Sequence, residues 1–270
     1  MGDSLLDPSR TVQPDVHPTA IVDDGAVLGA EVVVGPYAIV GPGVRVGART
    51  RIGPHVLIER DTSVGEGCRL GQGAVLGTDP QDLKYKGERS ELIVGDRTVV
   101  REYATLNRGS AASGRTVVGS DCLLMAYVHV AHDCRLGNHV VLSNSVNMAG
   151  HVTIEDWVIV GGLVGIHQYV RIGAHVFVGG GARVSKDVPP YCRAAGGRPR
   201  LYGLNTVGLE RRGFPEGTRR HLRQAYRILF QSGLNVSQAM TRVEADVEQI
   251  PEVRHLLDFI RNSARGLTLG

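Results

Sequence analysis

The sequence has few aromatic side chains: Phe, Trp and Tyr make up 5% of its 270 residues, whereas glycine occurs 36 times. Globular cores usually depend on aromatic side chains for much of their buried area. Hydrophobic residues nevertheless reach 42% of the chain, and its length suffices for one large domain and a smaller one. Aliphatic packing must therefore organise the core.

The chain also lacks the sequence signals of several protein classes. No stretch approaches the roughly 20 apolar residues of a membrane span, and the first ten residues, MGDSLLDPSR, have no signal-peptide pattern. Lys and Arg are spread along a chain of net charge +3, which argues against a nucleic-acid partner. The four cysteines form no CxxC pair, as expected for thiols in a reducing compartment. We therefore expect a cytoplasmic protein without membrane insertion.

A period of six residues runs through most of the sequence. Aliphatic residues recur at this spacing over residues 16–76, and the same phase returns over residues 94–184. Glycine commonly follows the aliphatic residue, and a small or β-branched residue stands four places after it, as Cys68, Cys122 and Cys134 do. The pattern fits neither a helix nor simple strand alternation, and it is the hexapeptide signature of a parallel β-helix.

In a left-handed parallel β-helix, three hexads form a triangular coil, and coils stack at about 4.8 Å, the ordinary strand spacing. Residues eighteen apart therefore lie one above another. We predict that the aliphatic residue fills the interior and that the glycine after it adopts turn angles that a Cβ would resist. Two interruptions, residues 78–91 and 108–115, are predicted to leave the prism as functional loops.

The pattern changes to that of helices beyond about Gly203. Pro251 can open the last helix, and Asn235 with Gln238 can form a capping box. The hexapeptide repeat ends at residues 187–190. We predict a mainly β protein with a left-handed parallel β-helix over residues 1–190 and a C-terminal α-helical domain over residues 191–270.

The coil arithmetic brings polar residues to one wall of the prism. Gly150 and Gln168 lie one and two coils from His132, which stands directly before Asp133. This arrangement offers a base, an orienting carboxylate and a bare backbone N–H for a developing oxyanion, which are the requirements of acyl transfer. The histidines that this arithmetic gathers are His129, His132, His151 and His167.

A zinc site is the competing interpretation of the histidine cluster, because zinc often takes three imidazoles and an open fourth position. Gamma-type carbonic anhydrases are solenoids of that kind, but their ligand pair five residues apart is missing among these histidines. A non-enzymatic solenoid would show a regular outward Thr array or bland polar faces. We expect an enzyme without metal or cofactor. His139 and His175 take the exposed fourth place of their hexads, and we expect both to be solvated.

Several stretches closely resemble the acyl-carrier-protein:UDP-N-acetylglucosamine O-acyltransferases, and together they extend over nearly the whole chain. The stretches are QDLKYKGE (81–88), VAHDCRLGN (130–138), MAGHV (148–152), GIHQYVRIGAHV (165–176), KDVPPY (186–191) and GLERRGF (208–214). The resemblance implies that an acyl chain, usually 3-hydroxylated, moves from acyl carrier protein to the sugar 3-hydroxyl of UDP-N-acetylglucosamine. In that family this is the first step of lipid A synthesis.

The resemblance also implies roles for single residues. His132 would be the general base, Asp133 would orient it, and the Gly150 N–H would polarise the thioester carbonyl. Gly180 would leave the groove for the acyl tail open and so set chain length. The substrate contacts would be Asp82 and Lys84 for sugar and diphosphate, His129, His151, His167 and Gln168 for the cleft, and Asn205, Arg211 and Arg212 for the nucleotide. Known relatives form homotrimers, and we expect each site to lie between neighbouring solenoids.

Two positions depart from the family pattern. Val207 stands where the family often has a carboxylate for uracil, and Asn107 stands where some members have histidine. A sister acyltransferase that forms an amide on an acylated sugar nucleotide remains the alternative. It would need an additional N-terminal domain, which we do not expect because the repeats begin by Val16.

Overall fold

The computed structural model describes residues 13–270, and the predicted absence of a signal peptide concerns residues that lie outside this range. Short strands dominate the first three quarters of the chain. In chain order they are β1 (Asp15–Val16), β2 (Ile21–Val22), β3 (Val27–Leu28), β4 (Val33–Val34), β5 (Ile39–Val40), β6 (Arg45–Val46), β7 (Arg51–Ile52), β8 (Leu57–Ile58), β9 (Thr62–Val64), β10 (Arg69–Leu70), β11 (Val75–Thr78), β12 (Glu91–Val94), β13 (Val99–Val100), β14 (Thr105–Asn107), β15 (Arg115–Val118), β16 (Leu123–Leu124), β17 (His129–Val130), β18 (Arg135–Leu136), β19 (Val141–Leu142), β20 (Asn147–Met148), β21 (Thr153–Ile154), β22 (Ile159–Val160), β23 (Gly165–Ile166), β24 (Arg171–Ile172), β25 (Phe177–Val178), β26 (Arg183–Val184), β27 (Cys192–Ala195) and β28 (Arg200–Leu204).

Successive strands go to three different sheets, which form the three faces of a prism. Sheet A holds β1 and every third strand after it to β25, followed by β27 and β28; sheet B runs from β2 to β26 and sheet C from β3 to β24 in the same way. All pairings are parallel except the one between β27 and β28. The predicted left-handed parallel β-helix is confirmed. We name its corners by the sheets they join in chain order: AB, BC and CA.

The solenoid core is aliphatic, as the scarcity of aromatic residues predicts. Both inward positions of the hexad are buried through most coils, for example Val40 and Val44 at 0% exposure. Cys68, Cys122 and Cys134 fill the predicted small inward positions and are buried free thiols.

The reason predicted for the glycines is wrong for most of them. Left-handed backbone angles fall two residues later, for example at Arg49 (φ 60°) after Gly47. Gly47 itself is needed because a Cβ there would lie 2.6 Å from the backbone nitrogen of Glu66 in the next coil. The glycine therefore permits close stacking of coils rather than an unusual turn angle.

The strand ladder continues past the predicted end of the repeat. Val188 bridges to Ile172, and β27 pairs with β25 of sheet A before β28 reverses the direction of the chain. The physical reason is that one more half-coil covers the apolar end of the prism. The predicted division of the chain after residue 190 stays a prediction.

Four helices follow the strands: α1 (Thr206–Arg211), α2 (Glu216–Gln231), α3 (Val236–Asp246) and α4 (Pro251–Arg261). The structure has the predicted capping box of Asn235 with Gln238, and Pro251 opens α4. The helices form their own apolar core, which includes Tyr191 at its contact with the solenoid. Within residues 13–270, no helix is both long and apolar enough to cross a membrane.

Close stacking of the coils gives a direct test of the glycine argument. We predict that Gly41→Ala lowers the thermal midpoint by several degrees, because its Cβ would overlap the carbonyl oxygen of Glu59 one coil away, and such overpacking typically costs about 1–3 kcal/mol. Gly217→Ala is the matched control, since a Cβ there meets nothing within 4 Å. Circular dichroism melting of both variants would contradict the argument if their midpoints matched.

Candidate active site

Most of the predicted site residues lie at or beside one corner of the prism, the BC corner. A first loop, residues 79–90, joins β11 to β12, and a second loop, residues 108–114, joins β14 to β15 at the same corner. The next three coils place residues 132–133, 150–151 and 167–169 at this corner in turn. The predicted residues at or beside it are Asp82, Lys84, His129, His132, Asp133, Gly150, His151, His167 and Gln168.

His132 and Asp133 form a hydrogen-bonded pair at this corner. The distance between His132 Nδ1 and Asp133 Oδ2 is 2.7 Å, and the Asp133 side chain is fully buried. Asp133 occupies the left-handed corner position with φ 61°, and its backbone N–H donates to Thr116 Oγ1 at 2.8 Å. These contacts hold the carboxylate against the imidazole.

The carboxylate of Asp133 is ionised in the folded protein. Burial alone would raise its pKa, but hydrogen bonds from Ser113, His132 and Ser110 lower the pKa to about 2. Because an ionised carboxylate only accepts hydrogen bonds, His132 must carry its proton on Nδ1. Nε2 of His132 is then the free basic nitrogen.

Gly150 lies directly against the His132 ring. A Cβ on Gly150 would lie 2.6 Å from His132 Cε1, so only glycine leaves room for the imidazole. The Gly150 carbonyl accepts from Tyr169 N at 3.2 Å, while the Gly150 N–H donates no hydrogen bond within the described residues. A backbone donor without an acceptor in the described part of the chain therefore lies next to His132.

The other polar groups of the corner are electrostatically coupled to this pair. Nε2 of His151 lies 3.8 Å from Asp133 Oδ2, and burial lowers the pKa of His151 while Asp133 opposes that shift. Asp82 and Lys84 of the first loop also act on His151, with opposite signs. Burial, together with the neighbouring His132, lowers the pKa of His129, whose Nδ1 lies 2.7 Å from Thr105 Oγ1.

The first loop is anchored through buried side chains from β14 and the second loop. Arg108 is 1% exposed and bonds to the Gly77 carbonyl and the Asp79 carboxylate. Asn107 donates to Thr78 Oγ1 at 2.8 Å and to the Asp79 carbonyl at 2.7 Å. Asn107 thus has a structural partner in this chain, and the pair of residues fixes where the first loop begins.

Two of the predicted nucleotide residues, Asn205 and Arg212, lie at a different corner, CA. Asn205 donates from Nδ2 to the His175 carbonyl at 2.9 Å and also caps α1. The Arg212 guanidinium lies 5.4 Å from the centre of the Trp157 ring. Burial lowers the pKa of Arg212, and its Nη1 is buried without a hydrogen-bond partner in the part of the chain that the structure describes.

The prediction that His139 and His175 are solvated is wrong. Both rings are half-buried because residues at this corner stack on those of neighbouring coils. The ring centres of His139 and Trp157 lie 3.9 Å apart, and the His175 ring lies between those of Trp157 and Tyr191. Burial, with Arg212 nearby, lowers the pKa of His175 to about 4. At this corner the fourth place of the hexad is thus partly covered by the rings of neighbouring coils.

A cavity of about 500 Å³ lies on the outer face of sheet A, beside α1. Ile159 and Phe177 form its wall on the sheet, and Asn205, Val207 and Arg211 line it from the helical side. Val207 is 59% exposed, so the position where the family often has a carboxylate faces solvent here.

Gly180 lies at the third corner, AB, one coil from Gly162. It is exposed and has no left-handed φ, whereas its neighbour Gly181 has φ 71°. The left-handed backbone angle of this corner therefore falls at residue 181 and not at residue 180. A single solenoid therefore does not bring Gly180, Arg212 and His132 together, because each lies at a different corner.

The ligand atoms of His132, Asp133 and His151 lie within 4.8 Å of one another, as the metal interpretation requires. However, donors from His132, Ser110 and Ser113 already occupy the Asp133 carboxylate. Zinc would have to displace them. The geometry favours a hydrogen-bonded acid–base pair.

Sequence reasoning missed the residues that surround Asp133 and the first loop. Ser110, Ser113 and Arg108 lie in the second loop, which was predicted to be functional without roles for its residues. The interruption of the repeat could have identified them. Thr105 pairs with His129, which is twenty-four residues later instead of eighteen, so the six extra residues form a loop that lies one coil from His132.

Comparison with protein families agrees with this architecture. The family model described as UDP N-acetylglucosamine O-acyltransferase, domain 2, matches residues 187–268. The bacterial transferase hexapeptide model matches residues 25–60 and 115–150.

Curated and solved relatives match along almost the whole chain. The acyl-[acyl-carrier-protein]–UDP-N-acetylglucosamine O-acyltransferase of Chlorobaculum parvum is 60% identical over 93% of this chain and 96% of its own. That of Myxococcus xanthus is 52% identical over 94% and 98%. Among solved structures, the UDP-N-acetylglucosamine acyltransferase of Bacteroides fragilis has a TM-score of 0.92 at 43% identity, covering 93% and 98% of the two chains. That of Francisella novicida has 0.90 at 36%, covering 93% of each.

Proposed function

The chain belongs to the acyl-[acyl-carrier-protein]–UDP-N-acetylglucosamine O-acyltransferase family, and from this we propose that it transfers an acyl chain from acyl carrier protein to the 3-hydroxyl of UDP-N-acetylglucosamine. The resemblance seen in the sequence motifs is confirmed by these relatives. The reaction is the first step of lipid A synthesis. We place it in the cytoplasm, a compartment that suits the four free thiols.

The single observation that carries the chemistry is the pairing of His132 with Asp133 against Gly150. The 2.7 Å contact between the two side chains leaves His132 Nε2 available as a base, and Gly150 adds a backbone donor beside it. A base and an oxyanion donor on the same side of a cleft are what attack of a hydroxyl on a thioester requires.

In the proposed reaction, His132 Nε2 removes the proton of the sugar hydroxyl as its oxygen attacks the thioester carbonyl. The Gly150 N–H donates to the oxygen that becomes negative. The C–S bond then breaks, an ester remains on the sugar, and the imidazolium returns the proton to the thiolate of the carrier. Asp133 stabilises the imidazolium in between, and no other reactant is needed.

Substrate contacts are proposed from charge and position. Among the described residues, the buried N–H of Arg212 has no acceptor, and a diphosphate oxygen would satisfy it, because arginine's fixed donors suit phosphate. Asn205 and Arg211 line the adjacent cavity and are proposed to hold the nucleotide. Asp82 and Lys84 are proposed to bind sugar and diphosphate, and His167 and Gln168 to line the cleft below His151.

We propose that three copies form the enzyme, with each site between two solenoids. Sheet A is the face between the CA and AB corners, so it carries the nucleotide cavity on one side and Gly180 on the other. If the sheet A face of one subunit packs beside the BC corner of the next, Arg212 and Gly180 of the first subunit lie near His132 of the second. Threefold closure supplies this contact three times.

The amide-forming alternative is not favoured, because the matching relatives are named O-acyltransferases over their full length. Assays with sugar nucleotides that bear a 3-hydroxyl or a 3-amine distinguish the two reactions directly.

We predict that His132→Ala lowers turnover by roughly 10²–10⁴, the usual contribution of a positioned general base, while the assembly stays intact. The assay is acyl transfer from acyl carrier protein thioester to UDP-N-acetylglucosamine, with size-exclusion chromatography as the folding check. His17→Ala, in the first coil and far from the BC corner, is the control with wild-type turnover. Near-wild-type turnover of His132→Ala would assign the base elsewhere, with His151 next.

We predict that the wild type prefers a long acyl donor and that Gly180→Met shifts the preference to a donor several carbons shorter. One coil of about 4.8 Å accommodates about four methylenes, each worth roughly 0.8 kcal/mol. Blocking it should therefore disfavour the longer donor by about 3 kcal/mol, or about a hundredfold in kcat/KM.

The control for the Gly180 prediction is Gly181→Ala, which strains the corner turn itself because of the φ of 71° at that position. It should lower stability without changing the preferred length. A thioester length series in which Gly180→Met loses activity equally for all donors would contradict the role in chain length.

A further inference from the structure

Asp133 receives more hydrogen bonds than its pairing with His132 requires. Ser110 donates from its backbone N–H to Oδ1 at 3.1 Å and from its hydroxyl to Oδ2 at 2.7 Å. The Ser113 hydroxyl donates to Oδ1. Together with the His132 ring, these groups occupy the four acceptor sites that a carboxylate offers. The second loop therefore shares the carboxylate with the base.

The second loop is built to hold these donors in place. The Gly114 N–H donates to the Ser110 carbonyl at 2.7 Å, and the Ala112 N–H donates to the Ser110 hydroxyl oxygen at 3.2 Å. The Ser113 hydroxyl also lies 2.9 Å from the Arg115 carbonyl, but its single hydrogen favours the charged acceptor. Ser110 is 8% exposed, so water does not readily replace its contacts.

Sharing a carboxylate has a defined chemical effect. Each hydroxyl that donates to Asp133 draws negative charge away from the bond to His132 and so weakens the attraction that holds a second proton on the imidazole. The same bonds fix the plane of the carboxylate and hence the direction of the imidazole. A base that is less readily protonated remains active at lower pH.

We propose that Ser110 and Ser113 are positioning residues that set the basicity of the His132–Asp133 pair by sharing the Asp133 carboxylate. The proposal rests on the acyl-transfer function proposed above. It assigns to the second loop a role in the reaction beyond shaping the cleft.

Other charged groups also face the pair and must be held constant in a test. His151 lies 3.8 Å from Asp133 Oδ2, and His129 interacts with His132 from β17. Asp82 and Lys84 act from the first loop through His151. Glu88 accepts from the Ala111 N–H at 3.1 Å and so lies beside the second loop. Serine variants leave all of these charges unchanged.

The test is the pH profile of kcat/KM for acyl transfer in the assembled Ser113→Ala and Ser110→Ala enzymes. The acid limb should move to higher pH by roughly 0.5–1 unit in each, because the carboxylate then holds the imidazolium more strongly. Ser113→Thr keeps the hydroxyl and should restore the wild-type limb. Ser237→Ala, on the exposed side of α3, is the control that should leave the profile unchanged.

A loss of activity at all pH values without movement of the limb would overturn the proposal, because it would show a merely structural role. If Ser110→Ala fails to assemble, Ser113→Ala decides, since Ser113 is only partly buried at the rim of the loop. A wild type without acyl transfer would instead contradict the proposed function. If the wild type is active but the acid limb of Ser113→Ala coincides with that of the wild type, only the role proposed for the serines is contradicted.

Discussion

The stacking register between coils is the constraint on which the rest of the structure depends. Backbone bonds such as His151 N–H to the His132 carbonyl, at 3.1 Å, and Tyr169 N–H to the Gly150 carbonyl, at 3.2 Å, hold each corner against the next. A shift of one residue would turn the aliphatic positions outward and separate His132 from Gly150. The glycines that permit close approach between coils, such as Gly47, therefore serve the site as well as the fold.

The same register explains how much the sequence could predict. Because the repeat length is fixed, the sequence alone predicted the inward residues, the positions of the loops and the neighbours of His132. The repeat spacing could not predict which side chains contact each other between coils. His175 is half-buried by rings from other coils, and the partners of Asp133 come from a loop that interrupts the six-residue period. The glycine after each aliphatic residue was placed correctly but explained wrongly, because the sequence shows a small residue and not the backbone that approaches it.

The distribution of the site over three corners links the fold to the proposed assembly. The His132–Asp133 pair lies at the BC corner, Arg212 lies at the CA corner, and Gly180, proposed to set chain length, lies at the AB corner, so one solenoid does not bring these groups together. In the proposed trimer, a BC corner packed against the sheet A face of a neighbour would bring these groups together. Each solenoid would then supply three partial surfaces, and threefold symmetry would complete the site.

The most direct test of this account is complementation between two defective subunits. His132→Ala and Arg212→Ala chains with different tags are expressed together, and acyl transfer is measured at low UDP-N-acetylglucosamine beside each variant alone. If His132 and Arg212 of one site come from different subunits, every mixed trimer contains one intact site, and random mixing restores about a quarter of wild-type activity. Activity of the mixture no greater than that of the separate variants would contradict a site shared between subunits.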